Sequence, residues 1–580
     1  MMANSAYEWN IDHVYNLIRQ ISEEIPDRLP GTDAAANMAQ LSCDELQRVG
    51  VDAKVQPVHA LVSNPKPAVL KILSPVEGQI NALTMAHSRL TREPVIAELI
   101  DVGLGGFEDY EGLDANGKMT LSELSYAPPR QEKQRIAGLK GSSAQIMMNW
   151  GYVDSEELPM GSVKSGWGNP TRDSLDMSEA SLPCVGISRK DGEWLRGLCA
   201  SGPVTVSLET HADTGWRDIH MTLGSIPGVQ SEDFALVGGH QDGWFGAAAT
   251  DNASGSAILI ELARVFAENS KDLRRGLNFG FWAGHETGTM AGSSWFAEKN
   301  WDRLRDHAVG YLQIDQPACV GTSGWTVTSN LELYEMIQKT SLSGEGGGDL
   351  SWAQQVKNGD ASFFGIGIPM VVAHSRFPTE ELEKTSNAAY GWWHHTNKNN
   401  IDKIDKALLE KHLNIYSEYL KRLTMDAVLP LRFSKVGDAV TQRLDELIAF
   451  GGSSDIGLQD VYERSTILLQ KLVALDSKAN QLSETEKPNE KNAEKMNGVL
   501  KKLSRLLIPI MSTVVGKYGH DPYGLTDQTT LLPGLYGIAD YGAVNSQSEK
   551  EMRWVELVRS RNRLSDALSE SEELCDSITD

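Results

Sequence analysis

Residues 234–284 restrict the possible folds more than any other stretch. FALVGG (234–239) and LNFGFWAG (277–284) are short, apolar and glycine-ended, the pattern of strands buried on both faces of a parallel sheet. Between them SGSAILIELARVFAENS (254–270) repeats Leu, Ile and Val at helical spacing behind a Ser-Gly start, which predicts a crossover helix. Such a strand–helix–strand unit brings the carboxyl ends of both strands to one sheet edge, where open α/β folds build their sites. His240, Asp242 and Asp251 follow the first strand, and His285 and Glu286 follow the second. A buried histidine with capping aspartates is the plain alternative. The recurrence of similar groups at later strand ends argues against it.

That recurrence is explicit. GYLQID (310–315) is another apolar strand ending in Asp315, and GWWHHTNKNNIDKID (391–405) places His394 and His395 just before a helix expected from about Ile404. His240, Asp251, Glu286, Asp315 and His395 offer two imidazoles and three carboxylates, a nitrogen–oxygen donor set suited to zinc and other borderline cations. Five groups are too many for one tetrahedral ion and suit two divalent ions sharing a carboxylate. The five cysteines, Cys43, Cys184, Cys199, Cys319 and Cys575, contain no CxxC pair, so a thiolate zinc site is not indicated.

These motifs, in this order, resemble the co-catalytic zinc aminopeptidase family that includes bacterial leucyl aminopeptidases, glutamate carboxypeptidase II and the non-enzymatic transferrin receptors. The resemblance covers most of the first 430 residues. It implies that His240, Asp251 and Asp315 hold one zinc, that Asp251, Glu286 and His395 hold the other, and that Asp251 bridges them. It also implies that Asp242 touches no metal but braces the His240 imidazole. The Leu-Pro-Gly-Thr turn at 29–32, leading into an Asp/Ala-rich helix, resembles the start of the same family.

Two positions depart from the family pattern. Members carry two adjacent glutamates where this chain has His285 and Glu286, and the first glutamate is the general base. Three readings of His285 stand open: a working base in an altered hydrolase, a site retuned for a non-peptide substrate or another proton transfer such as elimination, or a site that has lost catalysis. An unperturbed imidazole, with a pKa of about 6.5, can accept the proton; it can also bind metal directly. Retention of all five ligands argues against lost catalysis. Where some relatives place an oxyanion-stabilising tyrosine, this chain has His394, whose N–H could serve instead.

At 580 residues the chain exceeds one domain. The predicted fold class is α/β: a mixed, mostly parallel sheet flanked by helices, zinc exopeptidase-like. Residues 1–57 and 216–428 form the expected catalytic domain. Residues 58–215, with short strands and many turns, are expected as an inserted β-rich domain resembling the protease-associated domain of relatives. Residues 429–580 are expected as a helical domain, from three amphipathic runs whose apolar stripes need burial within the chain or across a homodimer. ETEKPNEKNAEK (484–495) reads as a charged exposed connector and SGEGGGD (343–349) as a flexible loop. GDASFFGIGIPMVVAHS (359–375) adds Asp360 and His374 as substrate-site candidates.

A net charge of −24 without a basic stripe disfavours nucleic acid and anionic membranes as partners. No apolar run reaches transmembrane length, the amino terminus lacks a signal-peptide core, and the unpatterned cysteines fit a reducing compartment. The expectation is a cytoplasmic protein. The function expected is binuclear metal-dependent hydrolysis of an amide or peptide bond in a small substrate. A metal-dependent lyase or deaminase acting on a small amino compound is the alternative, and a non-catalytic, receptor-like interaction protein is a third reading.

Overall fold

The computed structural model of the protein describes residues 7–343, 350–485, 489–523 and 531–579. The expected loop SGEGGGD lies, apart from Ser343, outside the described residues. Two amphipathic helices, Ile11–Glu24 and Asp33–Arg48, lead into strand β1 (Asp52–Pro65). Seven strands then form a closed barrel: β2 (Pro67–Ser74), β3 (Gly78–Thr84), β4 (Val95–Asp101), β5 (Met119–Glu123), β6 (Ala144–Met148), β7 (Cys184–Ile187) and β8 (Val204–Glu209). The chain returns through β9 (Ala212–Ile226), β10 (Phe234–His240), β11 (Gly276–Trp282), β12 (Ala308–Gln313), β13 (Gly324–Ser329), β14 (Leu350–Gln354) and β15 (Met370–Arg376).

The eight-stranded sheet runs in the order β1-β9-β11-β10-β12-β15-β13-β14. Its centre, β11-β10-β12-β15, is parallel, while β1, β9 and β13 introduce antiparallel pairs. The sheet is therefore mixed, and parallel where it carries the candidate ligands. Every residue of β10, β11 and β12 is buried, which explains why these strands read as largely apolar runs. The predicted crossover helix is present at Ser254–Glu268.

β1 and β9 pair along their whole length, from Asp52 with Ser225 to Pro65 with Ala212. The change of layer thus comes after Pro65 and before Ala212, not at 57 and 216. Pro57 lies inside β1, which is an edge strand, where a missing N–H is tolerated.

Helices Ser434–Ile448, Leu458–Glu484, Glu490–Ser512 and Gln547–Thr579 build the carboxyl-terminal part. Leu444, Leu472, Leu503 and Leu568 are each at most 1% exposed, so their stripes are buried within one chain. Part of the expected connector is helical: Asn489 caps the helix that begins at Glu490, its side chain accepting the Asn492 N–H, and residues 486–488 lie outside the described residues. The helix Gln547–Thr579 has no counterpart in the sequence reading. No helix among the described residues is long and apolar enough to cross a membrane.

A buried carboxyl marks the junction of core and helices. Glu332 is 1% exposed, its Oε1 has no hydrogen-bond partner, and its backbone carbonyl accepts the Arg432 N–H. Burial pushes its pKa up to about 7. The folded value lies above the unfolded one of about 4.3, so this contribution to stability is complete below the unfolded pKa. It is lost as pH rises through the folded pKa, by about 1.4 kcal/mol per unit. Glu332→Gln should therefore melt higher than the parent at pH 8, with the advantage shrinking towards pH 5 in calorimetry. A pH-independent difference would contradict a protonated Glu332 carboxyl.

Candidate metal centre

The double glycine that ends FALVGG sets up the site. A Cβ on Gly239 would lie 2.2 Å from the Ile314 carbonyl oxygen, and one on Gly238 would lie 2.6 Å from that of Gly280. Only glycine lets β10 run this close to its neighbours, so His240 at its end comes within reach of Asp315 after β12. Asp251 stands just before the crossover helix, and Glu286 in the turn after β11. His395 follows a run of turns and holds φ at +55°, the left-handed region a non-glycine residue seldom adopts.

The five expected ligands converge. His240 Nε2 lies 3.0 Å from Asp251 Oδ1 and 3.4 Å from Asp315 Oδ1. His395 Nε2 lies 3.1 Å from Asp251 Oδ2 and 3.4 Å from Glu286 Oε1. Zinc–ligand bonds of about 2.0–2.2 Å imply tetrahedral edges of about 3.3–3.6 Å between donor atoms, close to these separations. Asp251 turns one oxygen to each imidazole, the arrangement a shared ligand requires. His240 Nε2, Asp251 Oδ2, Glu286 Oε1 and Asp315 Oδ1 are all buried without a hydrogen-bond partner. Orphaned polar atoms of this kind are costly unless something satisfies them.

The electrostatics point the same way. Burial is the largest influence on His240 and opposes its protonation, yet Asp315 and Asp251 hold its pKa well above 6.5. His395 rises to about 9, with burial opposing and Glu286 and Asp251 prevailing. Asp251 is held well below the usual carboxylate value although burial raises it, because His240, His394 and His395 surround it. A cluster that draws protons onto two buried imidazoles has an unmet demand for positive charge. A divalent cation such as zinc fits that demand and the donor set.

The remaining candidates take different places. Asp242 contacts His240 through its backbone carbonyl, 3.0 Å from Nδ1, whereas its carboxylate stays 4.0 Å away. The expected brace is thus a main-chain group. The Asp242 carboxylate instead accepts the N–H groups of Glu286, at 3.0 Å, and His285, at 3.3 Å, and so shapes the turn after β11. His285 stacks on His240 with ring centres 3.9 Å apart, and its Nδ1 meets Asp360 Oδ2 at 3.0 Å. His394 Nδ1 approaches Asp251 Oδ2 at 3.2 Å. Burial, then the neighbouring His395 charge, lowers the His394 pKa to about 4, so its ring is neutral near pH 7. His374 is outside the cluster, its Nδ1 against the Ser375 carbonyl and its ring beside Tyr390.

The barrel supplies partners that sequence reasoning missed. The Met160 carbonyl, between β6 and β7, lies 2.9 Å from His395 Nδ1, which leaves Nε2 to face Asp251 and Glu286. Trp150 stacks on His394, which stacks on His395. His87 Nε2 and Lys164 Nζ hold the carbonyls of Thr287 and Gly288 at 2.7 and 3.0 Å. The turn carrying His285 and Glu286 is therefore clamped from the barrel side. No local motif announces a carbonyl acceptor or a stacked tryptophan so distant in sequence.

Comparison with known proteins agrees with this geometry. Residues 222–420 match the model of Peptidase family M28. Aminopeptidase YwaD of Bacillus subtilis (strain 168) is 26% identical over 414 residues, which cover 69% of this chain and 82% of that protein. The probable glutamate carboxypeptidase VP8 of Zea mays is 25% identical over 343 residues, 50% of this chain and 48% of the relative, so the match spans about half of that longer protein. A zinc aminopeptidase structure from Bacillus subtilis superposes with a TM-score of 0.56 at 22% identity, covering 72% of this chain and 96% of that one, a likeness of fold. The matched segment, residues 222–420, carries all five converging candidate ligands, and it is through this segment that the chain resembles peptidase family M28.

Proposed function

We propose that this protein is a metal-dependent hydrolase of peptide or amide bonds in small, aminopeptidase-type substrates, with His285 as general base. The observation that carries the reading is the convergence of His240, Asp251, Glu286, Asp315 and His395 on one cluster, in which His240 Nε2, Asp251 Oδ2, Glu286 Oε1 and Asp315 Oδ1 are buried without a hydrogen-bond partner. His240, Asp251 and Asp315 would hold one divalent ion, zinc being best matched, and Asp251, Glu286 and His395 the second. Bound there, the ions supply Lewis acidity to the scissile carbonyl and to the attacking water.

The geometry favours His285 as a base over His285 as a ligand. One His285 nitrogen lies within 4.8 Å of the ligand atoms of His240 and Asp315, but the two rings are only 10° from parallel at 3.9 Å. An imidazole lone pair lies in the ring plane, so stacked rings point their lone pairs side by side and one ion cannot occupy both planes. His285 would take a proton from water as the new C–O bond forms and pass it to the leaving nitrogen as the C–N bond breaks. Burial, the largest influence, and the His240 charge disfavour the protonated ring, yet Asp360 and Glu286 raise the His285 pKa. The neutral His394 would donate an N–H towards the developing oxyanion.

In this reading the closed barrel is a protease-associated-like insertion that walls the cleft, supported by the Met160 and Trp150 contacts to the histidine pair. A small substrate with a free terminus suits a walled site better than a folded protein. Elemental analysis of chelator-free protein should find two divalent ions per chain, and aminoacyl amides and dipeptides should be cleaved. A count at or below one after zinc, manganese or cobalt is added, or inactivity across the panel with two ions bound, would overturn the reading.

A further inference from the structure

Asp360 is fully buried and lies 75 residues from His285 in sequence, yet its Oδ2 is 3.0 Å from His285 Nδ1. Asp360 is itself fixed at both its carboxylate and its main chain. Ser293 Oγ donates to Oδ1 at 2.7 Å, and the Asp360 N–H donates to Gln313 Oε1 at 3.0 Å. Behind Ser293 stand Ser362, with Oγ 2.9 Å from Ser293 Oγ, and Trp167, whose Nε1 is 2.9 Å from Ser362 Oγ. The preceding Gly359, at φ +51°, has no room for a side chain, because a Cβ there would meet Gln313 Nε2 at 2.3 Å.

The direction of this chain of hydrogen bonds follows from what each group can do. An indole N–H only donates, so Ser362 accepts from Trp167 and is free to donate to Ser293. Ser293 then donates to Asp360, and an ionised carboxylate only accepts. Every proton in the chain points at Asp360, so the contact between Oδ2 and His285 places a proton on Nδ1. A ring with its proton on Nδ1 has its lone pair on Nε2, the nitrogen not committed to Asp360.

We propose that Asp360 is the positioning residue for His285: its carboxylate holds the imidazole as the Nδ1–H tautomer, with Nε2 presenting its lone pair to the metal-binding cleft. The inference rests on the reading above for the use made of Nε2, but the tautomer stands on the hydrogen bonds alone. The substitution of a family glutamate by His285 is then half of a pair. A glutamate needs no tautomer fixed, whereas an imidazole serves as base only with the correct nitrogen free, and Asp360 selects it. Outer partners of this kind are typically worth about 10–100-fold in activity.

The test uses the full-length zinc-loaded protein with ¹⁵N-labelled histidine, the His285 signals being assigned by their loss in His285→Gln. Long-range ¹H–¹⁵N spectra of the parent should show His285 protonated on Nδ1. Asp360→Asn should give a mixture of tautomers, lower kcat by about 10–100-fold, leave KM within error and keep the parental zinc count. A parent ring protonated only on Nε2 overturns the proposal without any variant, so poor folding of Asp360→Asn does not shelter it. An unchanged tautomer and unchanged kcat in a folded Asp360→Asn overturn it equally. Failure of the hydrolase reading looks different: Nδ1–H is present, but Nε2 carries zinc or the parent cleaves no amide. Asp360 then still positions the ring, for a different task.

Discussion

Replacing Asp251 by Ala should remove both cations together and reduce turnover by more than about 10²-fold, beyond the range typical of disturbing a ligand's outer partner. The expectation follows from the two oxygens of one side chain. Oδ1 faces His240 and Oδ2 faces His395, so this carboxylate belongs to both halves of the cluster. Glu286 and Asp315 each belong to one half, and Glu286→Ala or Asp315→Ala should leave one tightly held ion. Stability gives a readout independent of substrate. Saturating zinc stabilises a protein that binds it only when folded, by about 4 kcal/mol at a thousandfold excess over Kd. The melting temperature of the parent should therefore rise with added zinc, and that of Asp251→Ala should not. An Asp251→Ala protein that keeps two ions, or shows the parental zinc-dependent shift, would overturn the shared ligand.

What the sequence discloses and what it hides follow from how far each interaction reaches along the chain. The buried strands β10, β11 and β12 are legible because burial on both faces forces largely apolar runs. Each leads within four residues to a candidate ligand, His240, Glu286 or Asp315, so those three candidates are legible with them. The pairing of His285 with Asp360 is not, because it joins two turns through tertiary contact. The hold on His395 is hidden for another reason: its partner is the Met160 carbonyl, a group every residue possesses. Asp242 shows the converse error. The sequence marks its carboxylate, but its backbone meets His240 while its carboxylate organises the next turn. The helix Gln547–Thr579 escapes because its few buried residues are scattered along 33 mostly charged and polar positions. It packs against the helices Leu458–Glu484 and Glu490–Ser512 and buries Leu557, Leu564, Leu568 and Cys575 between them.

His285→Ala should lower kcat by about 10²–10⁴-fold, the usual worth of one acid–base group, while two ions remain bound. Three features make the change decisive. The stacked geometry with His240 directs the two lone pairs side by side, so loss of the ring should cost the metals no ligand; a falling ion count would make His285 a ligand instead. The truncation also leaves a ring-sized space above His240, and added imidazole should enter it and restore part of the rate, as it would not if the loss reflected a distorted site. Lastly, Asp360 loses the Nδ1–H that its buried carboxylate accepts, and leaving such a group short of a donor costs about 1–3 kcal/mol. His285→Ala is therefore best compared with His285→Gln, whose amide can still donate to Asp360 but is too weak a base to take a proton from water. Both variants should lose kcat to a similar extent, only the alanine variant should melt appreciably lower, and only it should respond to imidazole. A glutamine variant with parental kcat would remove His285 from proton transfer altogether, leaving it a spacer between His240 and Asp360.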